Sequence, residues 1–137
     1  MSANLSEVIQ YLFPGINLES GCRIVDRGDG SGLQIAEWND PRPQPSAQQI
    51  ADAQLPAAKE RRIGAINAEC KSRLFARYGP PEEQVSRALG VYGQAERDAM
   101  SAGIAATVDA SNVASNAVIS AGDLAAVEAV TVTWPVI

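Results

Sequence analysis

The residues of this chain that could carry chemistry are few. Because there is no histidine, neither a Ser–His nor a Cys–His nucleophile pair can form, and the commonest metal ligand is absent from the sequence. Two cysteines, Cys22 and Cys70, cannot complete a four-ligand zinc site. Glu82 and Glu83 are adjacent and would point about 100° apart on a helix, which suits a helix N-terminus better than paired acid–base catalysis. We therefore expect a non-enzymatic protein without catalytic, cofactor-binding or metal-binding residues.

The run Asp26–Gly30, with the sequence Asp-Arg-Gly-Asp-Gly, is open to three interpretations. A calcium loop would need an oxygen ligand at its third position, where this chain has Gly28. The Arg-Gly-Asp tripeptide resembles an adhesion motif, but it occurs here in a single copy. The glycines lie between two β-prone runs, Cys22–Asp26 and Leu33–Trp38, and they permit the positive φ of a tight turn. The pattern favours a β-hairpin turn.

Charge and hydropathy narrow the classes of partner. The net charge of −5 argues against nucleic-acid binding through a basic face. The start of the chain lacks the basic and apolar regions of a signal peptide, and no apolar run approaches the roughly 18 residues of a membrane span. We expect a protein made in a cytoplasm, with no membrane partner. A disulfide between Cys22 and Cys70 is conceivable, but two free thiols are favoured, one of them in a helix core.

The elements that would position these residues begin with a short helix. Apolar residues at positions 5, 8, 9 and 12 share one helical face, Asn4 and Glu7 have capping-box spacing, and Pro14 follows as a stop. Trp38 ends the second β-prone run, at a place where it would cover a small apolar face. The segment Asn39–Pro45 has alternating prolines, which are typical of a semi-rigid linker. A domain boundary is predicted there.

The rest of the chain is predicted to be helical. Ser46 and Gln49 indicate a capped helix start, and Pro56 either kinks this helix or begins a new one. Further helices are predicted over 57–78, from 81 to a break around Gly90–Gly93, from 94 towards 120, and after Gly122-Asp123, and residues 131–133 are β-prone. The predicted fold is mainly α, or α+β overall, with three parts: an N-terminal helix and β-hairpin module (1–38), a proline-rich linker (39–45) and a helical packing and assembly region (46–137).

Alanine and other small residues dominate the last third of the chain. Burial of apolar surface stabilises a fold by roughly 25 cal/mol per Å², and an alanine side chain buries little area. Aromatic residues, which bury more, make up only 5% of the sequence. A solitary monomer would be marginal, so we expect self-association. The run 101–121 suits either an exposed alanine-rich helix or a close-packed interface, and its scarcity of charge favours the interface. The candidate packing residues are Trp38, Ile63, Ile66, Cys70, Leu74, Met100, Ile104, Ala106, Val108, Ala114, Val118 and Trp134.

Three segments of the chain carry a resemblance to a known group of proteins. They are the strand Ile35–Asn39 with its proline-rich continuation into Ser46–Ile50, the helix Ala65–Leu74, and the run Asp123–Pro135. Together they resemble small proteins encoded beside tail-fibre genes in tailed bacteriophages and prophages, over about residues 22–78 and 100–135. Residues 80–98 fit the pattern least.

This resemblance implies a component of the virion tail, in the fibre or baseplate region, that is made in the host cytoplasm. The alternative that it implies is a tail-fibre assembly chaperone, which binds the fibre during folding. The expected partners are other copies of the chain, forming a homo-oligomer with a trimer among the candidates, and other tail or fibre proteins of the phage. The resemblance carries over no catalytic residue and no cofactor.

Overall fold

The computed structural model describes residues 4–137 and is mainly helical, with one small antiparallel hairpin near its start. The elements are α1 (Leu5–Leu12), β1 (Cys22–Asp26), β2 (Leu33–Trp38), α2 (Ala47–Tyr78), α3 (Pro81–Ala88), α4 (Gln94–Ser120) and α5 (Leu124–Ala129). The predicted fold class, mainly α and α+β overall, is confirmed. Residues 1–3, with which the predicted module 1–38 begins, lie outside the described residues.

The first helix and the hairpin form as the sequence predicts. Asn4 and Glu7 make the reciprocal capping box of α1, and Val8 and Ile9 are its buried residues. The register of the hairpin pairs Cys22 with Trp38 and Ile24 with Ile35, and a bulge lies between these pairs. A bulge inserts one extra residue into a strand. In a strand without it Ile35 and Trp38 would point to opposite faces, because side chains alternate along a strand. The bulge therefore lets both side chains join the same apolar cluster.

Helix α2 continues through Pro56, which excludes the prediction that a new helix begins there. Ser46 and Gln49 form the predicted capping box, since the backbone N–H of each donates to the side chain of the other (2.8 and 3.1 Å). From there the helix continues to Tyr78 with Pro56 inside it, so no new helix begins at the proline. A proline within a helix removes one backbone hydrogen bond, and tertiary packing can outweigh that cost.

The chain divides into two compact units, Met1–Glu60 and Arg61–Ile137, and the division falls within α2. The segment 39–45, where the sequence predicts a boundary, lies inside the first unit. Its Pro45 is buried, and Asp40 and Arg42 are hydrogen-bonded to each other. The predicted boundary and the observed division therefore differ in position, because side-chain contacts pack the proline-rich segment against its own unit.

In the second unit, α2 and α4 pack against each other as antiparallel helices. Asn67 contacts Ser111, Cys70 contacts Thr107 and Tyr78 contacts Gly103, so the numbers rise along one helix as they fall along the other. Between them, α3 and a turn containing Gly90 and Gly93 reverse the chain, at the predicted break. Asp123 caps α5 as predicted, with its side chain accepting from the N–H of Ala126 (2.7 Å). The β-prone residues 131–133 form no strand: β1 and β2 make the sheet of the described residues.

Candidate functional site

The first unit has an apolar cluster centred on Ile9, Ile16 and Cys22. Partly buried side chains complete the cluster: Leu5, Phe13, Leu18, Ile24, Ile35 and Trp38. The rings of Phe13 and Trp38 meet edge to face, with their centroids 5.0 Å apart. Trp38 is therefore a core residue of the first unit and keeps only part of its surface available for a partner.

Arg42 fastens the proline-rich segment to this cluster. Its guanidinium donates two hydrogen bonds to the carboxylate of Asp40 (2.7 and 2.8 Å) and lies 5.1 Å from the centre of the Phe13 ring. The carbonyl of Arg42 accepts a hydrogen bond from the indole of Trp38 (2.7 Å). The hydrogen bonds from the side chain and backbone of Arg42 lower the pKa of Asp40 to about 2. These contacts of Arg42, which we call the clasp, hold the segment after the hairpin in place, so this segment is not a free linker.

The turn of the hairpin confirms the favoured interpretation of the Asp-Arg-Gly-Asp-Gly run. Gly28, Gly30 and Gly32 all have positive φ, between 69° and 83°. The carboxylate of Asp26 accepts from the N–H of Gly28 (2.8 Å), and that of Asp29 accepts from the N–H of Ser31 (2.9 Å). Both carboxylates therefore stabilise the turn itself. Among residues 4–137, no three His, Cys, Asp or Glu side chains are grouped to hold a metal ion.

A stripe of small residues on α4 forms the contact with α2. The buried residues of α4 are Met100, Gly103, Thr107, Ser111, Ala114 and Val118. At Gly103 the Tyr78 side chain of α2 lies so close that a Cβ would overlap its hydroxyl and lie 3.1 Å from its ring carbon Cζ. Thr107 donates its hydroxyl to the carbonyl of Gly103 within the helix (2.7 Å), and Ser111 donates to Asn67 across the contact (3.3 Å). Small side chains thus bring α4 against α2 within one chain.

Both cysteines are free thiols, in agreement with the favoured prediction. Burial raises the pKa of the Cys22 thiol, and the nearby Asp40 carboxylate raises it further. The thiol of Cys70 faces the carbonyl of Thr107 (3.9 Å) in the helix contact. Each cysteine is therefore a buried, weakly polar core residue, not an exposed nucleophile.

The last eight residues, which we call the C-terminal segment (residues 130–137), lie extended beside α2 and α4. Arg62 donates a hydrogen bond to the carbonyl of Val130 (2.8 Å), and the guanidinium of Arg73 lies 4.9 Å from the centre of the Trp134 ring. The end of the segment reaches Gly103, where an added Cβ would be 3.5 Å from Ile137. Arginines of α2 therefore hold the segment at two points, and its end lies against α4.

A second apolar surface surrounds α3, which buries none of its own residues. We call it the α3 patch, defined by the exposed side chains of Val85, Leu89, Val91 and Tyr92. Leu89 is the most exposed of these, at 77%. Arg87 stacks on the Tyr92 ring at 4.9 Å and forms an ion pair with Glu96, so the turn that carries the patch is held to the start of α4. Residues 80–98, for which the sequence suggested no role, thus present four exposed apolar side chains within eight residues.

The predicted packing residues occupy three kinds of environment. Ile66, Cys70, Met100, Ala114 and Val118 are buried, Trp38, Ile63, Leu74, Ile104 and Trp134 are half-buried, and Ala106 and Val108 are exposed. Cys70 lies in the contact between α2 and α4, whereas Trp38 belongs to the cluster of the first unit. Ala114, at 4% exposure, contributes to the fold and is not free for another chain.

Sequence reasoning missed several residues that shape these surfaces. They are Tyr78 and Gly103 in the contact between α2 and α4, and Arg62 and Arg73, which contact the C-terminal segment. The available signal was spacing, because Gly103, Thr107, Ser111 and Ala114 follow one helical face at intervals of three and four. The α3 patch was visible only as apolar residues around two glycines.

Comparison with known proteins adds one match. Residues 5–62 match the protein family described as XkdW protein, and this range nearly coincides with the first compact unit. The matched range covers fewer than half of the 137 residues. No curated protein and no solved structure matches the chain. XkdW proteins are phage-associated, so this likeness, confined to the first unit, indicates a phage-related protein.

Proposed function

We propose that the protein is a non-enzymatic structural component of a phage tail, in the fibre or baseplate region, and that it acts through protein–protein packing. The first unit, which resembles the XkdW family, is the part that attaches to a tail component common to such phages. The second unit provides a packing surface for further copies of the chain or for a fibre protein. The net charge of −5 agrees with protein partners rather than nucleic acid.

The observation that carries this proposal is the distribution of exposed apolar side chains. Of eleven large hydrophobic side chains exposed among residues 4–137, nine belong to the second unit. A contiguous apolar patch is costly to leave in water and is typical of a surface that binds another protein. The α3 patch meets this description better than any part of the first unit, whose apolar residues are mostly gathered in the cluster around Ile9.

Particle composition tests the proposal. Mass spectrometry of purified phage particles should detect the chain at a constant number of copies, and its presence only in the lysate would contradict a place in the virion. In that case co-expression with the fibre protein is decisive, since a chaperone would be needed for fibre solubility without remaining in the particle.

A variant in the α3 patch localises the contact. Leu89→Glu places a charge in the patch and should weaken incorporation by about tenfold or more, the usual effect at a central interface residue. Asn116→Glu introduces the same side chain at an exposed position of α4 and serves as the matched control. Equal incorporation of both variants would exclude the α3 patch as the packing surface.

A further inference from the structure

The C-terminal segment lies against a shallow groove rather than within a filled core. Two cavities, of about 340 and 360 Å³, remain between the segment and α4. The side chains of α4 that line them are mostly small and include Ala102, Ala106 and Ala110. Both are open to solvent, so the segment lies at the surface and leaves part of the neighbouring α4 face uncovered.

The contacts that hold the segment are also weak. Arg73 is 44% exposed and divides its guanidinium between the Trp134 ring and the carboxylate of Glu69 (2.8 Å). A partly exposed cation–π contact is worth only a fraction of that of a buried one, because water competes for the cation. Val136 is fully exposed, and residues 131 and 133 also face solvent. The segment is thus held through its half-buried residues at positions 132, 134, 135 and 137, and its other side chains beyond Val130 face solvent.

The position at which the segment could separate is defined by α5. Val127 is fully buried and Asp123 caps the helix, so α5 stays in place while the chain beyond Val130 is extended. Residues 131–137 can span at most about 23–25 Å when extended, which sets the largest distance over which the segment could exchange. Movement of seven residues would leave the described helices of the second unit unchanged.

We propose that this groove also binds the C-terminal segment of a second copy of the chain, so that neighbouring copies exchange their segments. The proposed occupant is the C-terminal segment of another copy because the groove already binds this sequence within one chain. In that contact Trp134 lies against Arg73 and Ile137 lies beside Gly103. The contacts within one chain and between two chains are then identical in chemistry, and concentration decides between them. The inference rests on the self-association included in the proposed function and specifies its geometry.

Concentration sets when exchange occurs. A segment tethered to its own groove by a short linker experiences an effective concentration on the order of mM. Exchange is therefore minor in dilute solution and becomes favourable when copies are held together, as in an assembled particle. Reciprocal exchange closes a dimer, and head-to-tail exchange closes a ring.

A complementation experiment with two full-length variants tests the exchange. Ala106→Arg blocks the groove but leaves the segment intact, and Trp134→Asp damages the segment but leaves the groove intact. Light-scattering mass should show association of the wild type as its concentration approaches the mM range, and monomers for each variant alone. An equimolar mixture of the variants should again associate, with a mass twice that of the monomer. Val136→Asp changes a fully exposed residue of the same segment and should behave as the wild type.

The outcomes separate the exchange from the proposed function. If each variant alone associates like the wild type, or if the mixture stays monomeric while the wild type associates, the exchange is refuted and self-association by another surface stands. A wild type that stays monomeric throughout overturns both the exchange and the self-association, and packing against a fibre protein is then tested by particle composition alone. If either variant fails to fold by circular dichroism, the synthetic octapeptide of residues 130–137 replaces it. Added at mM concentration, this peptide should dissociate wild-type oligomers, and unchanged oligomer mass would refute the exchange.

Discussion

The close approach at Gly103 gives the sharpest prediction about the second unit. In Gly103→Ala the added Cβ would overlap the Tyr78 hydroxyl and lie 3.1 Å from Cζ. Tyr78 is only 2% exposed, so its packed ring must shift to make room for the added Cβ. Overpacking of this kind costs about 1–3 kcal/mol, whereas replacing Gly by Ala inside a helix gains about 1 kcal/mol. We expect a net loss of about 1 kcal/mol in the free energy of unfolding.

The chain supplies a matched control in Gly64. It lies inside α2 in the same unit, and a Cβ built on it meets no atom within 4 Å. Gly64→Ala should therefore show the propensity gain alone, a stabilisation of about 1 kcal/mol. The gain in helix propensity is the same in both variants and cancels when their free energies of unfolding are subtracted. The remaining difference, about 2 kcal/mol, is the steric cost at Gly103.

Urea denaturation followed by far-UV circular dichroism measures both free energies of unfolding. Equal stabilisation by the two substitutions would refute the packing of Tyr78 against α4. Tyr78→Phe removes the overlapping hydroxyl, so the penalty of Gly103→Ala should shrink by at least about 0.5 kcal/mol in that background, as a coupling between contacting residues. If the effects of Gly103→Ala and Tyr78→Phe on the free energy of unfolding simply add, the clash does not involve the hydroxyl.

Three further predictions concern the clasp, the thiols and α5. Hydrogen bonds from Arg42 lower the pKa of Asp40 from 3.8 to about 2. The ionised Asp40 therefore stabilises the folded state fully above pH 3.8, and this stabilisation is lost as the pH falls from 3.8 to about 2. Asp40→Asn should therefore flatten the acid-unfolding curve between these values, and an unchanged curve would count against the clasp. Neither Cys22 nor Cys70 should react with a thiol reagent in the folded protein, and both should react in urea, because both are buried and the Cys22 pKa is raised. Asp123→Ala removes the cap of α5 and should cost about 1 kcal/mol, seen as faster amide exchange at the start of that helix.

Local signals in the sequence predicted most of the elements. Capping boxes at Asn4 and Ser46, the glycine turn of the hairpin and the break at Gly90–Gly93 each depend on contacts within a few residues. Such contacts can be inferred from spacing alone. The bulge in β2 is local too, and it could have been found from the unequal spacing of the apolar residues 33, 35 and 38, which breaks a strict alternation.

Pro56 and the proline-rich segment show where local inference fails. A proline disfavours the interior of a helix by about 3 kcal/mol, yet α2 continues through it because packing along the rest of the helix outweighs that cost. Alternating prolines favour an extended spacer, yet the segment 39–45 is fastened by Arg42 to Asp40 and the Phe13 ring. The contact between Arg42 and Asp40 is local, but the one with the Phe13 ring joins residues far apart in sequence and cannot be read from spacing.

The small-residue face of α4 illustrates an ambiguity that composition cannot resolve. A helix face of Gly, Ala, Ser and Thr indicates close approach of another backbone, but it does not say whether that backbone belongs to the same chain. In the structure the face at Gly103, Thr107 and Ser111 is filled by α2. Ala114→Glu should therefore destabilise the second unit itself, whereas Ala106→Glu, at an exposed position beside the C-terminal segment, should leave the helices intact and affect that segment. The surfaces that we propose for another chain are then the bulky residues of the α3 patch and the groove beside the C-terminal segment.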